Sequence, residues 1–106
     1  MLNQIVIAGR LVGDPEIVVT ENNKKRTMIV VAVPRCYKNI EGNYDTDFIK
    51  CTLWNVIAEN TAEYCNKGDL ISVKGRLQCL GGNELQVIAE KVSFLSSGKT
   101  EKREEK

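Results

Sequence analysis

Asp47-Phe48-Ile49-Lys50-Cys51-Thr52-Leu53-Trp54 alternates strictly, and its two sides differ in kind. In an extended strand successive side chains point to opposite faces. Ile49, Cys51 and Leu53 therefore make one face, an ordinary core row. Phe48, Lys50, Thr52 and Trp54 make the other, placing two aromatics, a cation and a hydroxyl where water should be. Two readings of that face stand side by side. In the bland one, Trp54 caps a barrel mouth, the polar segment upstream covers Phe48, and Lys50 is merely solvated. In the sharper one, the rings are left open for a flat ligand.

Working outward, the period stays near two and the punctuation is that of turns. Asn3 to Val12 is rich in β-branched residues and carries Gly9 in mid-strand, which marks a bulge or a bend at a barrel corner. Gly13 to Glu16 is a break, Ile17 to Thr20 resumes as strand, and Glu21 to Lys25 reads as a hairpin loop. Thr27 to Val33 is a near-continuous apolar run, suiting a second strand covered on much of both faces. Residues 35–46 read as a polar loop with Glu41-Gly42-Asn43 at its tip. Beyond the third strand the only helix candidate is Ala58 to Cys65, stopped at Asn66-Lys67-Gly68-Asp69 with Gly68 in the left-handed C′ position. Strand four alternates Ile71, Val73, Leu77 and Cys79 against Ser72, Lys74, Arg76 and Gln78. Leu80 to Asn83 turns, and strand five runs from Glu84 to about Leu95. Tyr64 and Phe94 are assigned to packing.

Strand-strand-strand-helix-strand-strand is the element order of an all-β OB-fold, a five-stranded Greek-key barrel with one short helix between strands three and four. A bent meander or an SH3-like barrel gives a similar string. The expected domain spans residues 1–97, and the charged residues 98–106 read as a disordered tail. An OB-fold binds on strands two and three, flanked by the loops after strands one and four. The unusual face of strand three thus falls where the fold places its ligand.

Composition narrows the chemistry. With 106 residues the chain makes one domain. The net charge is only +1, from 15 basic and 14 acidic residues, so composition supplies no basic footprint. There is no histidine, which removes the commonest general base and metal ligand. The four cysteines, Cys36, Cys51, Cys65 and Cys79, lack the close spacing of a zinc site. The start reads as lacking a signal peptide, so we expect reduced thiols in a cytoplasmic, nucleoid-associated protein, mostly packing as small hydrophobes. No apolar stretch is long enough for a membrane span. Catalytic residues, metal and cofactor are all expected to be none. An enzyme would have to work from Cys51, which faces the core, or from Asp45 and Asp47, which lack further ligands.

Single-stranded nucleic acid suits a sheet face of aromatics and cations because unpaired bases expose flat apolar faces beside phosphates that need neutralising. Stacking is worth about 1–3 kcal/mol per base and tolerates any sequence. Phe48 and Trp54 are six residues apart, roughly 20 Å at a strand's rise, and suit separate bases. Tyr37 is a third ring. The candidate cations are Arg35, Lys38, Lys50, Lys67, Lys74 and Arg76. Asp45 and Asp47 weigh against, lying close to the proposed phosphate path. Double-stranded DNA would need a groove-entering helix or ribbon, and none is evident.

The motifs resemble a known family. Asn3-x-Ile5-x-Ile7-x-Gly9-Arg10-Leu11-x-x-Asp14-Pro15-Glu16 is similar to the N-terminal signature of bacterial single-stranded DNA-binding proteins. So are Thr46 to Trp54, Ala58-Glu59, Lys67-Gly68-Asp69 and Val73-x-Gly75-Arg76-Leu77, in the same order across residues 1–95. The resemblance implies an OB domain, usually a homotetramer with a dimer as the other possibility. It implies wrapping of single-stranded DNA without strong sequence preference in replication, recombination and repair. Its stacking aromatics fall on Tyr37, Phe48 and Trp54. Subunit pairing would involve Asn3, Gln4, Ile5, Val6, Ile7 and Ala8, and Ile49 stands where members often carry an interface histidine. Two departures matter. The strand-four to strand-five hairpin is short and has no aromatic, which implies a smaller footprint or weaker binding. The written end lacks the acidic tip that recruits replication proteins, so such recruitment is not expected. The alternative is an accessory resembling primosomal replication protein N, which would bind DNA and a replication partner.

Overall fold

The computed structural model describes residues 1–96, and these form six strands and one helix. In chain order they are β1 (Ile5–Leu11), β2 (Val18–Val19), β3 (Lys25–Lys38), β4 (Tyr44–Trp54), α1 (Asn55–Tyr64), β5 (Leu70–Cys79) and β6 (Leu85–Ser96). The expected tail and the last residue of the expected domain lie outside the described residues.

The sheet runs β1-β5-β6-β4-β3-β2, and β1 also pairs with β3 through Arg10↔Ala32 and Leu11↔Val31. Those two contacts close five long strands into a barrel. β4 and β6 meet in parallel at Cys51↔Val87 and Thr52↔Ile88. A simple meander has no parallel contact and does not pair β1 with β5, as here from Ile5↔Gly75 to Arg10↔Leu70, so the OB-fold expectation holds. Gly9 sits where β1 crosses onto β3. A Cβ there would lie 2.2 Å from the Ala32 carbonyl oxygen, so only glycine permits the corner.

The inward rows meet in a core of Leu11, Ile29, Val31, Cys51, Leu53, Ile71, Val73, Val87 and Ala89, with Ala58 and Cys65 from α1 and its C-cap. Tyr64 and Phe94 pack with ring centroids 6.1 Å apart, consistent with their assignment to packing. All four cysteines are free thiols, but only Cys51 and Cys65 are buried. Cys36 and Cys79 are exposed because both lie where paired strands run beyond the barrel, so the packing expectation fails for them.

Three local expectations are revised. Residues 35–46 are largely strand: β3 and β4 continue as a two-stranded finger, re-paired at Lys38↔Tyr44 past a bulge after Pro34. The finger's tip is organised by Asn39, whose Oδ1 accepts hydrogen bonds from the Glu41 and Asn43 amides, each 2.9 Å long. The helix starts at Asn55, three residues early, because Asn55 takes the left-handed conformation and turns the chain at once. It ends before Gly68, whose positive φ instead serves the third position of a tight turn closed from the Asp69 amide to the Asn66 carbonyl. Lastly, Leu77 does not stay in the core row. A register shift after Lys74 carries it to a part-exposed position in the β5–β6 ribbon.

Candidate nucleic-acid interface

The β3–β4 register assembles the outward face pair by pair. Ala32 lies opposite Phe48, Val30 opposite Lys50, Met28 opposite Thr52 and Arg26 opposite Trp54. Because Ala32 is small, Phe48 stands proud of the sheet and is 65% exposed. Covering by the upstream segment is thereby excluded, since that segment forms the finger instead. Tyr37 projects from the finger and is 61% exposed. Trp54 is half-buried at the N-cap of α1, which fits part of the capping role. β4 and the finger strand of β3 thus hold the three rings on extended strand backbone, not on a loop.

The alternation first noted in β4 has one exception. Thr52 belongs to the outward row yet is buried, its hydroxyl donating 2.6 Å to Oε1 of buried Gln86 on β6. This pair satisfies two polar groups in the floor of the face, between Lys50 and Trp54. Met28, 49% exposed, is an apolar surface on the same row that the sequence reading assigned to a covered strand. Its signal was present in the register: any residue opposite Thr52 on the outward side shares the face.

The cations are distributed unevenly. Arg35 is clamped by Asp47, with Nε 3.1 Å from Oδ2 and Nη2 2.9 Å from Oδ1, while Asp45 stands 3.9 Å from Nη1. The hydrogen bond from Arg35 holds the Asp47 carboxyl below its usual pKa, and the same bond raises that of Arg35. Asp45 and Asp47 therefore act on the cation beside them, and Asn39 Nδ2 also donates to Asp45. Lys50 Nζ lies 3.5 Å from Glu84. Lys38 sits 5.9 Å over the Tyr44 ring.

The remaining expected cations are not brought to this face. Lys67 is in the turn after α1, its amide donating to Asp14. Lys74 and Arg76 lie on β5, which β6 separates from β4, and Arg76 is 3.4 Å from Glu90. Sequence reading grouped them because strand four has a polar side; which sheet neighbour that side meets is a matter of strand order, which alternation does not encode.

Next to Phe48 and Lys50 a cleft of about 420 Å³ opens, lined by Ile5, Ile49, Leu77, Leu85 and Val87. Ile49 is half-buried there. On β1, Ile5 to Ala8 pair with β5 on one side only, Asn3 bridges to Leu77 through both its amide atoms, and Val6 is 64% exposed. Gln4 precedes the strand and is exposed. The Cys51 thiol, buried among these strands, is pushed up to about 12 by desolvation, which makes it a poor nucleophile at neutral pH.

A model of the Single-strand binding protein family matches residues 2–95. Among curated relatives, a protein of Bacillus subtilis (strain 168) called Single-stranded DNA-binding protein B is 38% identical, the match covering 96% of this chain and 97% of that one. Single-stranded DNA-binding protein 3 of Listeria innocua is also 38% identical, over 92% of this chain and 66% of its own length. Single-stranded DNA-binding protein A of Bacillus subtilis (strain 168) is 40% identical, over 90% and 60% respectively. The chain thus spans nearly all of one relative and about two thirds or less of the other two.

Proposed function

The chain belongs to the single-strand binding protein family, and on that premise we propose that it binds single-stranded DNA with the outward face of β3 and β4, without strong sequence preference. The observation that carries this reading is the exposure of Phe48 on β4 and of Tyr37 on the finger strand of β3, with Trp54 on the same alternation row as Phe48. Bases stack on the rings, and Lys50, Lys38 and Arg35 meet the phosphates beside them. The role is stoichiometric protection of single strands during replication, recombination or repair. It is a binding role and not an enzymatic one: the Cys51 thiol is unreactive, and the Asp45/Asp47 pair is committed to Arg35. The family match favours this over the primosomal accessory reading.

No helix among the described residues is long and apolar enough to cross a membrane, and the proposed location is the cytoplasm, on DNA. We place subunit contacts on Asn3 to Ala8 and Ile49. Half of β1 offers an unpaired backbone edge with Val6 exposed beside it, the kind of edge another strand completes. A homotetramer, or a dimer, is the assembly proposed. Lys67, Lys74 and Arg76 are proposed only as a secondary track reached by a longer strand.

Trp54 is the chain's single tryptophan and provides the test. Titration with oligo-dT should quench its fluorescence, with log K falling linearly in log salt. Unchanged emission and no mobility shift at low salt would end the proposal.

A further inference from the structure

We propose that Arg26 is a phosphate-anchoring residue of this face, paired with Trp54 as one recognition unit; this rests on the binding reading above. The register sets Arg26 directly across from Trp54, and the alternation of β3 puts it outward, since its neighbour Thr27 is fully buried. On its other side it pairs with Val18 of β2, so a strand lies on each side of it. Its Nε is sealed from solvent and has no hydrogen-bond partner, which holds the planar head against the sheet.

What separates Arg26 from Arg35, Lys50 and Lys25 is the company they keep. Arg35 is bound by Asp47, Lys50 by Glu84, and the adjacent Lys25 by Glu59 of α1. Among the described residues no carboxylate pairs with Arg26, and neither Nη has a bonding partner. A cation already held by a carboxylate must exchange that partner for a phosphate, and the net gain is small. Arg26 has nothing to exchange. A guanidinium is also less strongly hydrated than an ammonium and presents a fork that matches two phosphate oxygens. A purely structural role leaves its donors unused, at a cost that a methionine or leucine would avoid. A base stacked on Trp54 would bring its own phosphate within this residue's reach.

The test is oligo-dT binding across a salt series for wild type, Arg26→Gln, Arg26→Met and, as an exposed control in the β2–β3 turn, Lys24→Gln. Loss of one phosphate contact should shrink the slope of log K against log salt by about 0.7 in both Arg26 variants and weaken low-salt binding about tenfold. Lys24→Gln should leave the slope unchanged. Wild-type slope and affinity in a folded Arg26 variant would overturn the assignment while leaving the binding face intact. An equal loss in Lys24→Gln would show diffuse attraction, and failure of both Arg26 variants to fold would show a structural residue; either removes the proposal. Absence of binding by wild type itself would remove the face and this residue together.

Discussion

The two faces of β4 arise from one alternation and are finished differently. Inward, Cys51 and Leu53 are fully buried, and Ile49 closes the row at the edge of the cleft. Outward, Phe48 is mostly bare and Lys50 is exposed, and only Thr52 is sunk, tied to Gln86. The inner row is fixed by close packing, where every methylene has neighbours. At Phe48 and Lys50 the outer row is held by backbone pairing and not by packing, so these side chains can be chosen for a ligand with little effect on the fold. The difference separates stability from binding along a single strand, residue by residue.

The largest expected effect comes from the inner row. Leu53→Ala removes a fully buried side chain and should cost about 2–5 kcal/mol of unfolding free energy, measured by denaturant titration, with DNA affinity retained in the folded fraction. Phe48→Ala should do the reverse. It should weaken oligo-dT binding by about 1–3 kcal/mol while shifting the denaturation midpoint little. If Phe48→Ala destabilised the barrel as much as Leu53→Ala, the separation of the two rows would be wrong. The smallest effect belongs to the finger. Asp47→Asn releases Arg35 and should tighten binding a few-fold, with a steeper salt dependence. Because Arg35 holds the Asp47 carboxyl below its usual range, that carboxylate stays ionised at neutral and mildly acidic pH. The wild-type pair is therefore intact there, and affinity should be flat with pH in that range. It should rise only once acid strong enough to protonate Asp47 is reached.

Much of this was legible in the chain. Alternation in Asp47 to Trp54 identified the inner row and the protruding rings, and Gly9 marked the corner that closes the barrel. What was hidden shares a cause: it depends on which strand lies beside which. Lys74 and Arg76 were grouped with the aromatics although β6 intervenes, and Arg26 and Met28 were passed over although register sets them opposite Trp54 and Thr52. Residues 35–38 and 44–46 looked like part of a long polar loop because the finger's strands are exposed on both sides, which erases the hydrophobic period that marks a strand. The helix start at Asn55, ahead of the expected Ala58, was not legible because no side-chain cap announces it.

The most direct measurement is photo-crosslinking of an oligonucleotide carrying 5-iododeoxyuridine, with the attachment sites mapped by mass spectrometry. Crosslinks confined to Tyr37, Phe48 and Trp54 would place the strand on the outward face of β3 and β4, as predicted. Crosslinks concentrated on β1 and on the outward side of β5, around Ser72 to Arg76, with none on those three rings, would contradict it.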